Sequence, residues 1–511
     1  MKQAGSRIHL AECINNLHSG RLLLKDACFI AHVIGEFART PLFVLRILLA
    51  CGLRNRLPAH CTEYIQGLSP MEPCQLTASE ASALIHNRQL SCEELVRSCL
   101  ARIASRDPTV RAWLYLDSDQ AVRNARELDK HAVGHGPISK LHGLPWGVKD
   151  IFDTRDQPTT HNSPIYPRSQ QGRDAASIAV VRHSGGLILG KTDTVEFASG
   201  GRKALTRSPF NPAHTPGGSS SGSGAAVGDF HVPLGFGTQT GGSHIRPAAF
   251  NGIYGIKPSW GVVSREGVRM SSMTLDTVGW YGRCVDDLIM VAEAFRLPPA
   301  QPAPQGPEGL RIGLCRSPVW SRIDPSGADA LMLAAARLRD AGAILEEIVL
   351  PEPFNRLHDA HADIIATEGG VSFLAEYLSS YAILAPDLRD KVENARGVTP
   401  EKLLASYALA DSCRPVFDSL FGASLDAILT PPSTGEAPEG LRTTGDAVFN
   451  AMWTLLHVPC VAIPVGRGPK GLPVGIQIVG PRLSDMRLLA IAKAVAPAID
   501  VEPRAALREL W

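Results

Sequence analysis

Three stretches of the chain hold residues whose types and spacing could do chemistry. In "LPWGVKD" (144–150), Lys149 follows an apolar run and precedes Asp150. The second stretch is "TPGGSSSGSGAA" (215–226), and the third is "GFGTQTGGSHIRPAAFNGIYGIKPS" (235–259). A serine hydroxyl is a poor nucleophile until a base takes its proton. Local context suggests no His–Asp pair for that task. A lysine can serve only when neutral, and burial among apolar neighbours lowers its pKa. Leu144, Pro145, Trp146 and Val148 offer Lys149 such neighbours. Glycines tolerate backbone shapes that let several amides converge on one oxygen, which is how a tetrahedral intermediate is stabilised. Composition alone makes "GGSSSGSG" a flexible linker. Ordered-looking sequence on both sides points instead to a closely packed backbone cradle.

Two tempting patterns dissolve on inspection. "GGLILGKT" (185–192) fits the phosphate-loop spacing GxxxxGK[ST], which needs a strand, then a loop of amides, then a helix. Here "SIAVVRHSG" reads as a helix and "GLILG" as a strand, so the order is reversed. Gly218–Gly222 fits GxSxG, but that nucleophile elbow needs a strand just before it. "SPFNPAHTPG" carries three prolines and cannot be a central strand.

The elements that must position these residues begin near Leu76. Thr77 with Glu80, and Ser91 with Glu94, form two capping boxes that open helices. From 140 to 290, short apolar runs ("LPWGV", "GLILG", "HVPLGFG", "NGIYGIKPS") alternate with glycine-rich turns and candidate helices, as in an α/β sheet. A proline-rich connection (297–309) follows. "LRIGLC" then reads as a strand and "SGADALMLAAARLRDAGA" as a helix, while 354–420 reads as mostly helical. "LDAILTP" and "LPVGIQIVG" read as strands, and Ser484 as the cap of a last helix. The alternation on both sides of the connection favours one large α/β domain over 76–511. Residues 1–75 are cysteine-rich and weakly periodic, and Met71 stands just before the first capped helix. We expect this extension to be dispensable.

With 511 residues and a net charge of +1, nothing in the total charge attracts nucleic acid or an anionic membrane. The chain therefore suggests a small-molecule partner and no nucleic acid. Eleven cysteines without a paired pattern suggest reduced thiols in a cytoplasmic protein. No metal and no cofactor is expected. "PLFVLRILLACGL" (41–53) is interrupted by Arg46 and is shorter than the roughly 18–20 apolar residues of a membrane span. Stable membrane insertion is not expected, although an interfacial helix stays open. A homodimer is the assembly that general frequencies suggest.

Taken together, these segments resemble the amidase signature family, whose hallmark is a Gly/Ser-rich run followed by a GT-[DQ]-TGGS stretch and a nearby proline. "KTDTVEFASGG" (191–201), "TLDTVG" (274–279) and the tail "GLPVGIQIVGPRLSD" (471–485) extend the likeness from about Leu76 to the C terminus. The resemblance implies a central mixed β-sheet covered by helices on both faces. It also implies a Ser–cis-Ser–Lys triad. The lysine in the GVKD context falls on Lys149, the bridging serine on Ser219 and the nucleophile that closes TGGS on Ser243. The cis peptide would join Gly218 to Ser219, and the oxyanion hole would be the amides of Thr240, Gly241, Gly242 and Ser243. The implied reaction is hydrolysis of a linear carboxamide to a carboxylate and ammonia through an acyl-enzyme. Within the family, the alternative is the glutamine-hydrolysing subunit of a tRNA-dependent amidotransferase complex.

Two departures bear on the substrate. The commoner pattern has Asp at position 239, where this chain has Gln, and Arg two residues after the nucleophile, where it has Ile245. Arg246 comes third, in a GTQTGGSxIRP form that resembles a stand-alone subgroup. Arg246 either pairs a substrate carboxylate or satisfies loop carbonyls. Trp453, in the variable segment after the signature, is a candidate pocket wall.

Overall fold

Short apolar runs bounded by glycine and proline can bury both faces only as strands inside a covered sheet. A computed structural model of the chain describes residues 72–299, 304–422 and 424–500. Most of the extension expected to be dispensable, and the apolar stretch 41–53, lie outside the described residues. What is described belongs to one compact unit, Glu72–Trp511.

Eleven strands form one mixed sheet. In chain order they are β1 (Trp113–Leu116), β2 (Pro145–Lys149), β3 (Leu187–Thr192), β4 (Leu234–Gln239), β5 (Tyr254–Lys257), β6 (Thr277–Gly282), β7 (Arg311–Cys315), β8 (Ile344–Ile348), β9 (Ala427–Thr430), β10 (Cys460–Arg467) and β11 (Pro473–Val479). Their order across the sheet is β1-β3-β2-β4-β6-β5-β10-β11-β9-β7-β8. β2 runs parallel to both β3 and β4, whereas β6 lies antiparallel between β4 and β5. A second parallel group, β9-β7-β8, closes the other end. Every residue of β2, β3, β4, β5, β6, β9 and β11 is buried, so helices and loops cover both faces there. Beneath the future site, the Trp146 and Phe236 rings stack 4.7 Å apart, and Phe152 lies 5.5 Å from Phe236.

Both capping boxes form, opening helices Ala78–His86 and Cys92–Val110. The last helix, Asp485–Ile499, does start after Ser484, but the Ser484 hydroxyl donates to the Pro481 carbonyl (2.7 Å) and makes no cap bond. A helix, Ala176–His183, precedes β3. The "GGLILGKT" stretch is therefore a buried strand, and no phosphate loop forms. The "GGSSSGSG" run is packed structure: Ser221–Gly228 is a helix. Gly217 has φ +85°, and a Cβ on Gly222 would come within 2.4 Å of both the Ala112 carbonyl oxygen and the Asp193 nitrogen. Only glycine fits at that approach.

Candidate active site

Because β2 and β4 are parallel neighbours, their carboxyl ends open at the same end of the sheet, where α/β sheets bind ligands. Lys149 is the last residue of β2. After Gln239 at the end of β4, the chain turns through Thr240–His244 into helix Ile245–Phe250. The Gly/Ser run is sewn between these ends. Val195 N donates to Ser219 O (3.3 Å), Gly222 N to Asp193 O (2.9 Å) and Ser220 N to Ser243 O (3.3 Å). The Ser220 hydroxyl donates to the Thr238 carbonyl (3.2 Å), and the Ser223 hydroxyl to the Phe236 carbonyl (2.7 Å). The Gly218–Ser219 peptide bond is cis.

Lys149 is 0% exposed. Its Nζ donates to Ser219 Oγ and Thr238 Oγ1, each at 2.8 Å. Burial draws its pKa down to about 7, against a weaker upward pull from the Asp276 charge. Much of this amine is thus neutral at physiological pH. Ser219 and the partly exposed Ser243 line one cavity of about 350 Å³ together with Thr240, Gly241 and Gly242. Among the described residues, no direct hydrogen bond joins the hydroxyls of Ser219 and Ser243. No acceptor within the described chain takes up the amide hydrogens of Gly241, Gly242 or Ser243. These three amides remain available to a ligand oxygen.

Four side chains hold this loop. Gln239 Oε1 accepts from the amides of His244 (3.0 Å) and Ile245 (2.9 Å), capping the helix that follows, while its Nε2 donates to Thr454 Oγ1 (3.1 Å). An amide side chain can donate and accept at once, which an aspartate cannot. Thr454 Oγ1 in turn donates to Gly241 O (2.9 Å). His361, whose pKa burial lowers to about 4, donates from Nε2 to Thr240 O (2.9 Å). The Thr240 hydroxyl donates to Asp276, which also accepts from the amides of Ser271 (2.7 Å) and Ser272 (3.1 Å).

Arg246 is 3% exposed and lines the cavity. Nε donates to Thr444 O (2.7 Å), and Nη2 to Gly218 O (2.6 Å) and Thr444 Oγ1 (3.1 Å). Nη1 is buried and has no partner among the described residues. Burial lowers the guanidinium pKa to about 10, so it stays charged at neutral pH. Arg246 therefore satisfies loop carbonyls, one of the two uses considered for it, and keeps one buried donor without a partner among the described residues. Trp453 is not a pocket wall. It is fully buried, 5.5 Å from the Phe417 ring, and does not line the cavity. On helix Val448–Leu455 it lies about 100° round from Thr454, and Thr454 is the residue that reaches the site.

Thr238, Asp276, His361 and Thr454 are site residues that the chain pattern did not single out. Asp276 lies in the quoted "TLDTVG", and Thr238 lies on β4, one residue before its end. His361 and Thr454 lie 121 and 213 residues away from their partners, and nothing local marks them. Among the described residues, no group of His, Cys, Asp and Glu side chains is placed to hold a metal ion. None of the described helices is long and apolar enough to cross a membrane.

Comparison with known proteins places this arrangement. The chain is 33% identical over 476 residues to the glutamyl-tRNA(Gln) amidotransferase A-subunit of Acidothermus cellulolyticus, covering 83% of this chain and 94% of that protein. Its counterpart from Symbiobacterium thermophilum is 32% identical, covering 82% and 96%. Among solved structures, the native peptide amidase from Stenotrophomonas maltophilia superposes with a TM-score of 0.69 at 26% identity, covering 83% and 97%. These relatives overturn the expectation of a small-molecule partner and no nucleic acid. The curated relatives are named as a subunit of an enzyme that acts on a tRNA. A net charge of +1 bears only on RNA gripped by this chain itself, not on RNA held by another subunit. Residues 94–489 match the family model described as Amidase, and the chain belongs to the amidase signature family.

Proposed function

We propose that this chain hydrolyses a carboxamide, releasing ammonia and leaving an acyl group on Ser243. The observation that carries the reading is the Lys149 amine. It is fully buried, held by two hydroxyls and touched by no carboxylate. Neutral Lys149 accepts a proton from Ser219 Oγ as Ser219 takes one from Ser243 Oγ, and Ser243 attacks the amide carbon. The carbonyl oxygen becomes an oxyanion facing the amides of the Thr240–Ser243 loop. Collapse breaks the C–N bond, and the proton returns through Ser219 to the departing nitrogen, giving ammonia and an ester. Water then attacks the ester by the same relay. The carboxylate leaves and Ser243 regains its proton.

The curated relatives favour glutamine as the amide, with this chain supplying ammonia as one member of a cytoplasmic complex that amidates tRNA-borne glutamate. Ammonia release from glutamine, measured with and without co-purified partner subunits, tests both parts. Release that is stimulated by the partners and lost in Ser243→Ala is the expected result. Turnover of linear amides by the isolated chain, unaffected by partners, would remove the subunit role. Wild-type turnover in Ser243→Ala would remove the mechanism.

A further inference from the structure

The residues around the cavity carry charge of one sign only. Lys203 and Arg442 line it from exposed positions, and Arg246 lines it from a buried one. Neither Lys203 nor Arg442 forms an ion pair among the described residues. Arg246 Nη1 has no partner, and it sits 2.9 Å from where a Cβ on Gly242 would lie, beside the loop of free amides. No Asp or Glu is among the lining residues. The three cations come from separate parts of the chain. Lys203 follows "KTDTVEFASGG", Arg246 follows the nucleophile loop, and Arg442 begins the segment whose Thr444 holds the Arg246 guanidinium. That last contact makes Arg246 an anchor for the segment bearing Arg442.

We propose that the acyl part of the substrate is an anion: a monoamide whose far end is a carboxylate, read by Arg442 and Lys203 at the mouth and Arg246 within. This rests on the amide-hydrolysis reading and deepens it. A carboxylate entering the cavity meets donors whose fork matches its two oxygens, and it enters with its charge complemented. An ammonium on the same substrate finds no Asp or Glu among the lining residues. Glutamine satisfies the first condition with its carboxylate, but its amino group gains no ion pair. The lining therefore recognises the carboxylate and offers the amine no anionic partner. A cavity of about 350 Å³ suits a molecule of that size.

Three amides of nearly equal length separate these terms: 4-carbamoylbutanoate, L-glutamine and pentanamide. With the full chain, alone and with its co-purified partner subunits, kcat/KM for ammonia release from 4-carbamoylbutanoate should exceed that for pentanamide at least about tenfold and equal or exceed that for glutamine. Arg442→Ala and Lys203→Ala should each reduce the charged-to-neutral ratio about three- to fivefold, mainly through KM. A ratio near one in the wild type, a ratio that neither substitution moves, or a tenfold preference for glutamine over 4-carbamoylbutanoate overturns the proposal. If no amide is hydrolysed even with the co-purified partner subunits present, it is the amide-hydrolysis reading that fails. Calorimetric binding of glutarate to Ser243→Ala then decides the present proposal by itself. Binding that weakens in the Arg442→Ala background upholds it, and absence of glutarate binding overturns it.

Discussion

Lys149 and Lys191 are both fully buried, and they stand near the carboxyl ends of the adjacent parallel strands β2 and β3. Burial lowers the pKa of each. Their partners differ. Lys191 Nζ is 3.2 Å from Asp150 Oδ1 and donates to Phe152 O (2.8 Å), Pro158 O (3.1 Å) and Thr159 Oγ1 (2.8 Å). The carboxylate opposes the effect of burial there, and these contacts make Lys191 a structural tie for the loop after β2. Lys149 has two hydroxyls and no carboxylate within reach. The contrast teaches that burial alone does not make a lysine a base. What matters is burial without a compensating anion, beside a hydroxyl that can pass a proton on.

The contrast can be broken at either lysine. Lys149→Met should lower kcat for amide hydrolysis by about 10²–10⁴-fold with the melting temperature held within a few degrees, read by ammonia release and calorimetry. Comparable activity in that variant would end the distinction. Lys191→Met leaves Asp150 buried without its cation, and denaturant unfolding should show a loss of about 3–5 kcal/mol. Adding Asp150→Asn should recover part of it. The smallest effect concerns pH. The amine must be unprotonated to act, so kcat/KM should rise with pH and reach half its plateau near about 7. Thr238 Oγ1 accepts a hydrogen bond that supports the charged amine. Thr238→Val should therefore move that limb to lower pH, by less than about one unit. A limb that stays in place would show that the hydroxyl only positions the lysine.

Much of the site was legible because its pieces are local. Lys149 ends an apolar run that could only be a buried strand, and the glycines around Ser219 and Ser243 mark backbone that must approach closely. The strands β2, β3, β4, β5, β7, β9 and β11 follow runs readable by eye. β1, β6, β8 and β10 carried no such reading. β8, "ILEEI", has two acidic residues and lies at the sheet edge, where pairing rather than burial pattern makes the strand. β6 overlaps "TLDTVG", which looked only like a family signature. It is inserted between β4 and β5, and it brings Asp276 to Thr240. Trp453 misled because aromatic size suggests a wall, whereas helical phase turned it into the core.

By itself, the order of residue types determined that a lysine flanked by apolar side chains, a Gly/Ser cradle and a glycine-rich nucleophile loop exist, and that each sits at the end of a strand or the start of a helix. These are short-range consequences of hydrophobic periodicity and glycine's backbone freedom. Only the tertiary structure decided which of the buried lysines meets a carboxylate, which threonine and histidine brace the loop, and that the charged side chains lining the cavity are all basic. Those outcomes depend on contacts between residues up to some two hundred positions apart, and the register of a mixed sheet, unlike the period of a strand, is not written locally.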